Sequence, residues 1–255
     1  MRRGRGMASE PVRIAMWSGP RNISTAMMRA FENRPDTAVV DEPFYACYLE
    51  ATGADHPMRA EVLASQPHDW RTVAAAMLGP VPNGRAIFYQ KHMTHHMLPD
   101  FGLDWAERCR NSFLIRAPER VLASYAKVRG TATLVDIGVP QQAAIFDAAC
   151  QRLGHAPPVI DGADVLAEPE GIMRALCAAL NIAFVPQMLR WPSGRRDSDG
   201  VWAPAWYSAV EASTGFAVPA DDNEPDLPDA LRRVVDQARP YYERLAKHRI
   251  RPSRN

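Results

Sequence analysis

Residues 12–33 of the chain read V-R-I-A-M-W-S-G-P-R-N-I-S-T-A-M-M-R-A-F-E-N, and this stretch decides the fold. Residues 12–17 form a short, mostly apolar run with the length and composition of a buried strand. Gly19 and Pro20 end that run. From Ile23 onward the apolar residues recur at helical spacing, among polar residues typical of a helix start. The sequence therefore predicts a strand, a tight loop and a helix. Such a loop aims backbone N–H groups and a helix N-terminus at one point, where an anion can bind.

The predicted loop does not match the standard nucleotide-binding loop. Counted from Gly19, the pattern G-x-x-x-x-G-K-[ST] finds neither its second Gly nor its Lys. The segment resembles instead the P-[KR]-S-G-[ST]-[ST] loop of sulfotransferases, which grips the 5′-phosphosulfate of 3′-phosphoadenosine 5′-phosphosulfate (PAPS). The resemblance implies that the donor is held by Pro20, Arg21, Asn22, Ile23, Ser24 and Thr25. Asn22 and Ile23 depart from the family's Ser-Gly pair, and an ordinary strand-to-helix turn is the alternative on this stretch alone.

Length and composition predict one soluble domain. With 255 residues and 47% hydrophobic composition, the chain can bury a single sizeable core. We expect a flexible arm over residues 1–11, one sulfotransferase-like domain over residues 12–248 and a basic tail over residues 249–255. No apolar run approaches the roughly 18 residues that span a bilayer, and the N-terminal residues lack the apolar stretch of a secretory signal. This pattern predicts a cytoplasmic protein with no membrane partner.

The charge distribution argues against a nucleic-acid partner. The net charge is +1, but residues 1–13 and 243–255 together hold nine Lys/Arg and two Asp/Glu. The rest of the chain therefore carries 21 basic and 27 acidic residues. Surfaces that follow a phosphate backbone need concentrated positive charge, which this acidic body does not provide.

Cysteine and histidine spacing predicts no metal site. The four cysteines are far apart and form no C-x-x-C pair, so we expect reduced thiols in the core. Histidines cluster at positions 92, 95 and 96, but the H-E-x-x-H pattern is absent. Adjacent residues on a helix also point in different directions, which does not suit shared coordination of one ion.

Two carboxylates follow the second predicted strand. Residues 37–40 are a β-type run that ends at Asp41, Glu42 and Pro43. In open α/β sheets ligands bind beyond the carboxyl ends of strands. We interpret Asp41 as a solvated loop residue. Glu42 is different by resemblance, because several sulfotransferase branches place a Glu-Pro after the second strand and use that Glu near the acceptor.

A third strand is predicted over residues 85–90, and it runs into Lys91 and His92. Residues 90–99 resemble the K-T-H-L-P…L-L-P stretch of cytosolic sulfotransferases. Aligning the closing Leu-Pro places His92 on the family's catalytic His. The family's Lys then falls on Gln90, while Lys91 lies one place along, so the resemblance leaves the role of the Lys open.

The fourth predicted strand, residues 111–116, ends in Arg116, and a helix begins near Pro118. An Arg at the strand end and a Ser two turns into the helix can converge on one anion. A strand-end salt bridge and an ordinary helix-face Ser are the alternatives. The spacing R-x-P-x-x-x-x-x-S resembles the second sulfotransferase signature, which implies that Arg116 and Ser124 hold the 3′-phosphate of PAPS.

Regular periodicity disappears over residues 191–226, and a loop this long in a compact domain is usually functional or disordered. Several aromatic residues in it argue against disorder. In sulfotransferases a late loop of the form R-K-G-x-x-G-x-W closes over the adenosine and the 3′-phosphate. The runs Gly194-Arg195-Arg196 and Gly200-Val201-Trp202 resemble a loose version of it, which implies that Arg195 and Arg196 contact the donor.

Together these motifs predict an α/β fold in three layers, a parallel sheet flanked by helices, with the phosphate-binding loop after the first strand. They predict PAPS-dependent transfer of a sulfuryl group to a hydroxyl or amine of a small-molecule acceptor, with no metal ion. Arg21 would stabilise charge, and either Glu42 or His92 would act as the base. The alternatives are a small-molecule kinase with a divergent phosphate loop, and a non-catalytic nucleotide-binding protein in which the loop has decayed.

Overall fold

A computed structural model of the chain describes residues 10–217 and 225–251. It contains five strands, and the four whose positions are predicted above begin and end within three residues of those positions. The strands are β1 Val12–Ser18, β2 Thr37–Asp41, β3 Ile87–Met93, β4 Arg110–Ile115 and β5 Val159–Asp161. They form one parallel sheet in the order β2-β3-β1-β4-β5. The central position of β1 brings the loop that follows it between the carboxyl ends of β3 and β4.

Helices account for most of the connections between strands. The α-helices are α1 Ser24–Glu32, α2 Tyr45–Thr52, α3 Arg59–Ser65, α4 Trp70–Leu78, α5 Pro118–Arg129, α6 Val139–Leu153, α7 Gly162–Ala167, α8 Pro169–Ala179, α9 Ala203–Trp206, α10 Ser208–Glu211 and α11 Asp229–Ala246. Short 3₁₀ helices lie at Pro82–Gly84, Thr94–His96, Asp104–Arg108 and Pro186–Leu189. Asp69 caps α4, and its side chain accepts hydrogen bonds from the N–H groups of Arg71 and Thr72. Pro240 lies inside α11, which continues through it.

The sheet separates two apolar layers, which confirms the predicted three-layer α/β architecture. Residues Ile14 and Met16 of β1 pack against α1 and α8 on one face. Ala15 and Trp17 pack on the other face, against α4, α6 and the end of α11. Alternate residues of a strand point to opposite faces, so a strand covered on both faces reads as a continuous apolar run.

The chain returns to the sheet after α11. The N–H of Ile250 donates to the backbone oxygen of Val159 at 2.8 Å, and Arg249 lies 3.5 Å from the Asp164 carboxylate. The first part of the predicted tail therefore packs against β5. Residues 252–255 of that tail and residues 1–9 of the predicted arm lie outside the described part of the chain.

Two further observations bear on the sequence predictions. All four cysteines are free thiols, three of them buried and Cys150 half-buried. Among the helices of residues 10–217 and 225–251, none combines the length and the apolar character needed to cross a membrane.

Candidate active site

A pocket of about 440 Å³ opens where the carboxyl ends of β1 to β4 meet. Such a volume is typical of sites for small molecules. The predicted loop at residues 20–25 forms one wall, and residues 202–217 contribute to the opposite one. Glu42, Lys91 and Arg116 reach it from the ends of β2, β3 and β4. The site thus lies at the sheet edge at which ligands bind in open α/β folds.

The loop at residues 20–25 contains two residues in the left-handed backbone region, Arg21 with φ 58° and Ile23 with φ 39°. A β-branched residue at positive φ is a strained exception. Glycine, which the sulfotransferase loop has at the position of Ile23, adopts this conformation without penalty. The backbone here therefore keeps the path that glycine favours, although the side chain differs.

The N-terminus of α1 faces the pocket, and its backbone N–H groups donate to no capping side chain of the described residues. Ile23 precedes the helix, and no described side chain caps it. Asn22, the other departure from the family loop, is buried, and its Nδ2 donates to the backbone oxygen of Leu114 at 2.7 Å. Asn22 thereby fastens the loop to β4. The first turn of α1, including Ser24 and Thr25, lines the pocket and is suited to an anion.

Arg21, Arg116 and Ser124 meet beside this helix terminus. The Nε of Arg21 donates to the Ser124 hydroxyl at 2.9 Å, and Nη1 of Arg116 donates to the backbone oxygen of Arg21 at 2.6 Å. Burial, and then the neighbouring cations Arg120 and Arg21, lower the pKa of Arg116 below its ordinary value. Burial also lowers the pKa of Arg21. Two partly desolvated cations at one helix terminus favour a multiply charged anion between them.

A buried network of charged and phenolic groups forms the wall beside Glu42. The Nζ of Lys91 donates to Asp41 Oδ1 at 2.8 Å and to Glu42 Oε1 at 2.7 Å. The Tyr207 hydroxyl accepts from Lys91 at 2.6 Å and from Trp202 Nε1 at 3.0 Å, and it donates to Asp41 Oδ2 at 2.7 Å. Both carboxylate oxygens of Asp41 are therefore hydrogen-bonded within the network. The interpretation of Asp41 as a solvated residue is wrong, because its carboxylate is buried.

Burial and charge act in opposite directions on Glu42. Burial raises its pKa, the contact with Lys91 lowers it and the neighbouring Asp41 raises it, so that the pKa of Glu42 lies above its ordinary value. For Lys91, burial alone would lower the pKa, but Asp41 and Glu42 raise it above its ordinary value. Lys91 therefore stays protonated, and both of its contacts with Glu42 and Asp41 are charge-assisted.

His92 lies away from the pocket, which corrects its assignment as a candidate base. The imidazole is 1% exposed, stacks on Trp17 with ring centroids 4.6 Å apart and lies next to Phe44 and Trp105. Burial lowers its pKa to about 3. Alternation along β3 is the physical reason, because adjacent residues point to opposite faces. Lys91 faces the pocket, so His92 faces the core, and Met93 occupies the pocket position two residues after the Lys.

Arg195 and Arg196 also lie outside the pocket, contrary to the expectation that they contact the donor. Arg195 is exposed, with its Nε 3.9 Å from Glu211. Arg196 donates to the backbone oxygen of Pro192 at 3.1 Å. The loop that carries them is held against α1, where Arg29 lies 2.7 Å from Asp199. This anchoring directs both arginines along the outside of the domain.

Several residues that line the pocket were not predicted as site residues. They are Tyr45, His56, Met93, His95, His96, Tyr125, Trp202, Trp206 and Tyr207. Alternation along β3 could have identified Met93, as well as Lys91, and the resemblance of residues 200–202 to the late loop could have identified Trp202. The others lie on helices and loops with no readable signature. Within residues 10–217 and 225–251, no group of three His, Cys, Asp or Glu side chains is placed to hold a metal ion.

Sequence comparison associates the chain with one family. A family model described as a sulfotransferase domain matches residues 12–249. Two curated relatives from Arabidopsis thaliana, branched-chain-amino-acid aminotransferase-like proteins 1 and 2, are 36% identical over 240 residues and 32% identical over 235 residues. These matches cover 94% and 92% of this chain but 42% and 41% of the relatives. The chain therefore spans about two fifths of the length of the curated relatives it matches.

Solved structures with the same fold are also sulfotransferases. The sulfotransferase domain of the Synechococcus PCC 7002 olefin synthase aligns with a TM-score of 0.61 at 18% identity, covering 96% of this chain and 98% of that one. A sulfotransferase from Alicyclobacillus acidocaldarius aligns with a TM-score of 0.57 at 12% identity, with the same coverage. At these identities the likeness shows a shared fold.

Proposed function

This chain belongs to the sulfotransferase family, and from that premise we propose that it transfers a sulfuryl group from PAPS to a small-molecule acceptor. The observation that carries the proposal is the meeting of Arg21, Arg116 and Ser124 at the uncapped N-terminus of α1. PAPS carries a 5′-phosphosulfate and a 3′-phosphate, so its recognition needs positive groups for two anionic ends. The four free cysteines support a reducing, cytoplasmic setting.

The residues present fit this donor. The backbone N–H groups of residues 22–25 and the guanidinium of Arg21 would hold the 5′-phosphosulfate, and Arg116 and Ser124 would hold the 3′-phosphate. When bound, PAPS supplies the sulfuryl group: the bond from sulfur to the phosphate oxygen breaks, a bond from sulfur to the acceptor's oxygen or nitrogen forms, and adenosine 3′,5′-bisphosphate leaves. Arg21 would stabilise the negative charge that develops on the phosphate oxygens, as fixed cations do in phosphoryl transfer.

Glu42 is the proposed base. Its Oε1 is held by Lys91 at 2.7 Å, which fixes the carboxylate at the pocket wall. The other oxygen, Oε2, would accept the proton that the acceptor loses when the new bond to sulfur forms. A raised pKa suits this task, because a base works best when its pKa approaches the operating pH. The contact with the Lys91 ammonium favours the ionised form of Glu42 and offsets part of the effect of burial on its pKa, and the Tyr207 hydroxyl keeps Lys91 in position.

Ligand-dependent melting tests the proposed donor. A ligand that binds only the folded state raises the melting temperature, by an amount that corresponds to about 2.7 kcal/mol at one hundred times its Kd. We expect adenosine 3′,5′-bisphosphate to raise the melting temperature clearly, 5′-AMP to raise it less and ATP with Mg²⁺ to raise it least. Stabilisation by ATP with Mg²⁺ and none by the bisphosphate would contradict the proposal and indicate a kinase.

Substitution of Arg21 tests catalysis separately from binding. We expect Arg21→Ala to lower kcat by about 10²- to 10³-fold in a folded protein, because its proposed role is to stabilise transition-state charge. Arg21→Lys keeps the charge and should lose less. Unchanged turnover in a folded Arg21→Ala variant would remove Arg21 from the mechanism and leave a nucleotide-binding role for the loop.

A further inference from the structure

The end of the pocket next to Glu42 is lined by a group of rings that the proposed reaction does not yet use. We call it the histidine chamber and define it as Tyr45, His56, His95, His96 and Trp202. Tyr45 stacks on His96 with centroids 4.4 Å apart, meets Trp202 edge to face at 5.1 Å and contacts His56 through a 2.8 Å hydrogen bond. The ring centroids of His95 and His96 lie 4.2 Å apart. The chamber is continuous with the site of the proposed base, because the Tyr45 N–H donates to the Glu42 backbone oxygen at 3.1 Å.

His95 and His96 each offer one ring nitrogen to a ligand. In both rings Nδ1 is buried and has no hydrogen-bond partner among the described residues. Nε2 is therefore the ring nitrogen that can meet a molecule in the pocket.

The imidazoles of the chamber are neutral. Burial lowers the pKa of His95 to about 3, and burial followed by the charge of Arg129 lowers the pKa of His56 to about 4. The pKa of His96 also lies well below its ordinary value, for which burial is the largest cause. Depending on the tautomer, each Nε2 either donates or accepts a hydrogen bond. A hydroxyl group can do both, whereas an ammonium only donates and a carboxylate only accepts.

The chamber itself holds no charged side chain that could pair with a charged acceptor. Among the described residues that line the pocket, the charged side chains are Arg21, Glu42, Lys91 and Arg116. The two arginines lie at the donor end, and Lys91 is bound by Asp41 and Glu42 at 2.8 and 2.7 Å. Burying an unpaired charge among aromatic rings and neutral imidazoles would be costly. The chamber thus discriminates against an anionic group, which would also lie near the two carboxylates of the network, and it offers a cation no carboxylate of its own.

We propose that the histidine chamber binds an uncharged alcohol with at least two hydroxyl groups as the sulfuryl acceptor. One hydroxyl loses its proton to Glu42 and forms the new oxygen–sulfur bond, and a second hydroxyl bonds to Nε2 of His95 or His96. The apolar part of the acceptor packs on Tyr45 and Trp202. This inference rests on the proposed function and narrows its acceptor from a hydroxyl or amine to a neutral polyol.

Four matched cyclohexane probes test the acceptor class: cyclohexanol, trans-1,2-cyclohexanediol, trans-2-aminocyclohexanol and trans-2-hydroxycyclohexanecarboxylate. Adenosine 3′,5′-bisphosphate released from PAPS is measured for each. We expect the highest kcat/KM for the diol, about two- to tenfold lower for the mono-alcohol, which lacks one hydrogen bond, and at least tenfold lower for the two charged probes. A charged probe that reacts best, or transfer to none of the four, would overturn the inference. The donor itself is tested by the melting experiment, so a failure of the inference is distinguishable from a failure of the proposed function.

Ring-preserving variants test the two histidines. His95→Phe and His96→Phe keep the aromatic packing and remove Nε2, so they should raise KM for the diol about two- to tenfold and bring it close to that of the mono-alcohol. The affinity for adenosine 3′,5′-bisphosphate should not change. His96→Gln, whose amide can donate and accept, should restore part of the preference, and it provides a second measurement if a Phe variant does not fold. His155→Phe, an exposed position distant from the pocket, is the matched control. A diol preference that survives both Phe substitutions would overturn the assignment.

Discussion

The donor end and the acceptor end of the pocket are formed by different kinds of structural element. The donor end consists of the loop at residues 20–25, Arg116 and Ser124, all within the first turns after the adjacent strands β1 and β4. The acceptor end consists of the histidine chamber and the network around Lys91, which combine β3 with helices and late loops. One end carries net positive charge, and the other combines two carboxylates around one ammonium with the uncharged chamber. The comparison indicates that the sheet supplies anion recognition, while the surrounding segments decide what receives the sulfuryl group.

The largest expected effect separates chemistry from donor binding. Glu42→Gln preserves shape and removes the base, so kcat should fall by about 10²- to 10⁴-fold, whereas the affinity for adenosine 3′,5′-bisphosphate should stay the same. Steady-state kinetics and nucleotide titration measure the two quantities. His92→Phe is the matched control, because His92 stacks in the core and should keep near-wild-type turnover once folding is verified. If Glu42→Gln kept near-wild-type turnover and a folded His92→Phe lost it, His92 would be the base. The chemistry would then not be located at the acceptor end of the pocket.

The pH dependence of the activity should also arise from Glu42. Glu42 must be ionised to accept a proton, and its pKa lies above its ordinary value because of burial. Activity should therefore fall as the pH drops through that raised pKa, so that the acidic limb of kcat/KM lies above the reference of about 4.3. The limb should disappear in Glu42→Gln. If the acidic limb of kcat/KM persists in Glu42→Gln, a group other than Glu42 is responsible for it.

The stability of the acceptor end should depend on Lys91. Lys91→Met leaves the buried carboxylates of Asp41 and Glu42 without their cation, and breaking a buried ion pair in this way costs about 3–5 kcal/mol. Urea denaturation measures the loss. Adding Glu42→Gln should recover part of it, because one uncompensated charge is removed. Lys127→Met on the exposed face of α5 should change stability by no more than about 0.5 kcal/mol. Equal losses for both lysines would show that the network does not stabilise the fold.

The donor end should discriminate between nucleotides through Arg116. Arg116→Ala should weaken the binding of adenosine 3′,5′-bisphosphate by about 1.5–3 kcal/mol. It should weaken the binding of 5′-AMP far less, because only the bisphosphate has a 3′-phosphate. Isothermal titration of both nucleotides measures the difference. Arg195→Ala is the control, since that exposed side chain lies outside the pocket. Equal losses for the two nucleotides would make Arg116 a structural residue.

The smallest effect concerns the loop that departs from the family pattern. Ile23→Gly restores the family residue at a backbone position with φ 39°. The relief of strain, about 1–2 kcal/mol, is partly offset by the flexibility of glycine and by lost packing of the side chain. The affinity for adenosine 3′,5′-bisphosphate should change less than about twofold, because the backbone path stays the same. A tenfold change would show that the isoleucine had altered the loop.

The sequence predicts the donor end better than the acceptor end for a physical reason. In a parallel sheet the carboxyl ends of neighbouring strands converge, so short motifs after β1 and β4 locate Arg21 and Arg116 without further information. Strand alternation would also have separated Lys91 from His92, but the prediction followed an alignment that slipped by one residue. Trp202, Tyr207 and the chamber histidines reach the pocket through contacts between segments distant in the chain, and no local pattern encodes such contacts.

The central position of β1 also affects how the protein is made. Val12 pairs with Ile87, and Ile14 pairs with Arg110, so both neighbours of the first strand are translated much later than the strand itself. At about 5–20 residues per second, a ribosome needs roughly 5–20 s to extend the chain from β1 to β4. Until β3 is translated the apolar first strand has neither of its native neighbours, and its other edge stays unpaired until β4 is translated. An unpaired apolar strand edge favours aggregation, so truncation before β4 should produce aggregation rather than a smaller folded unit.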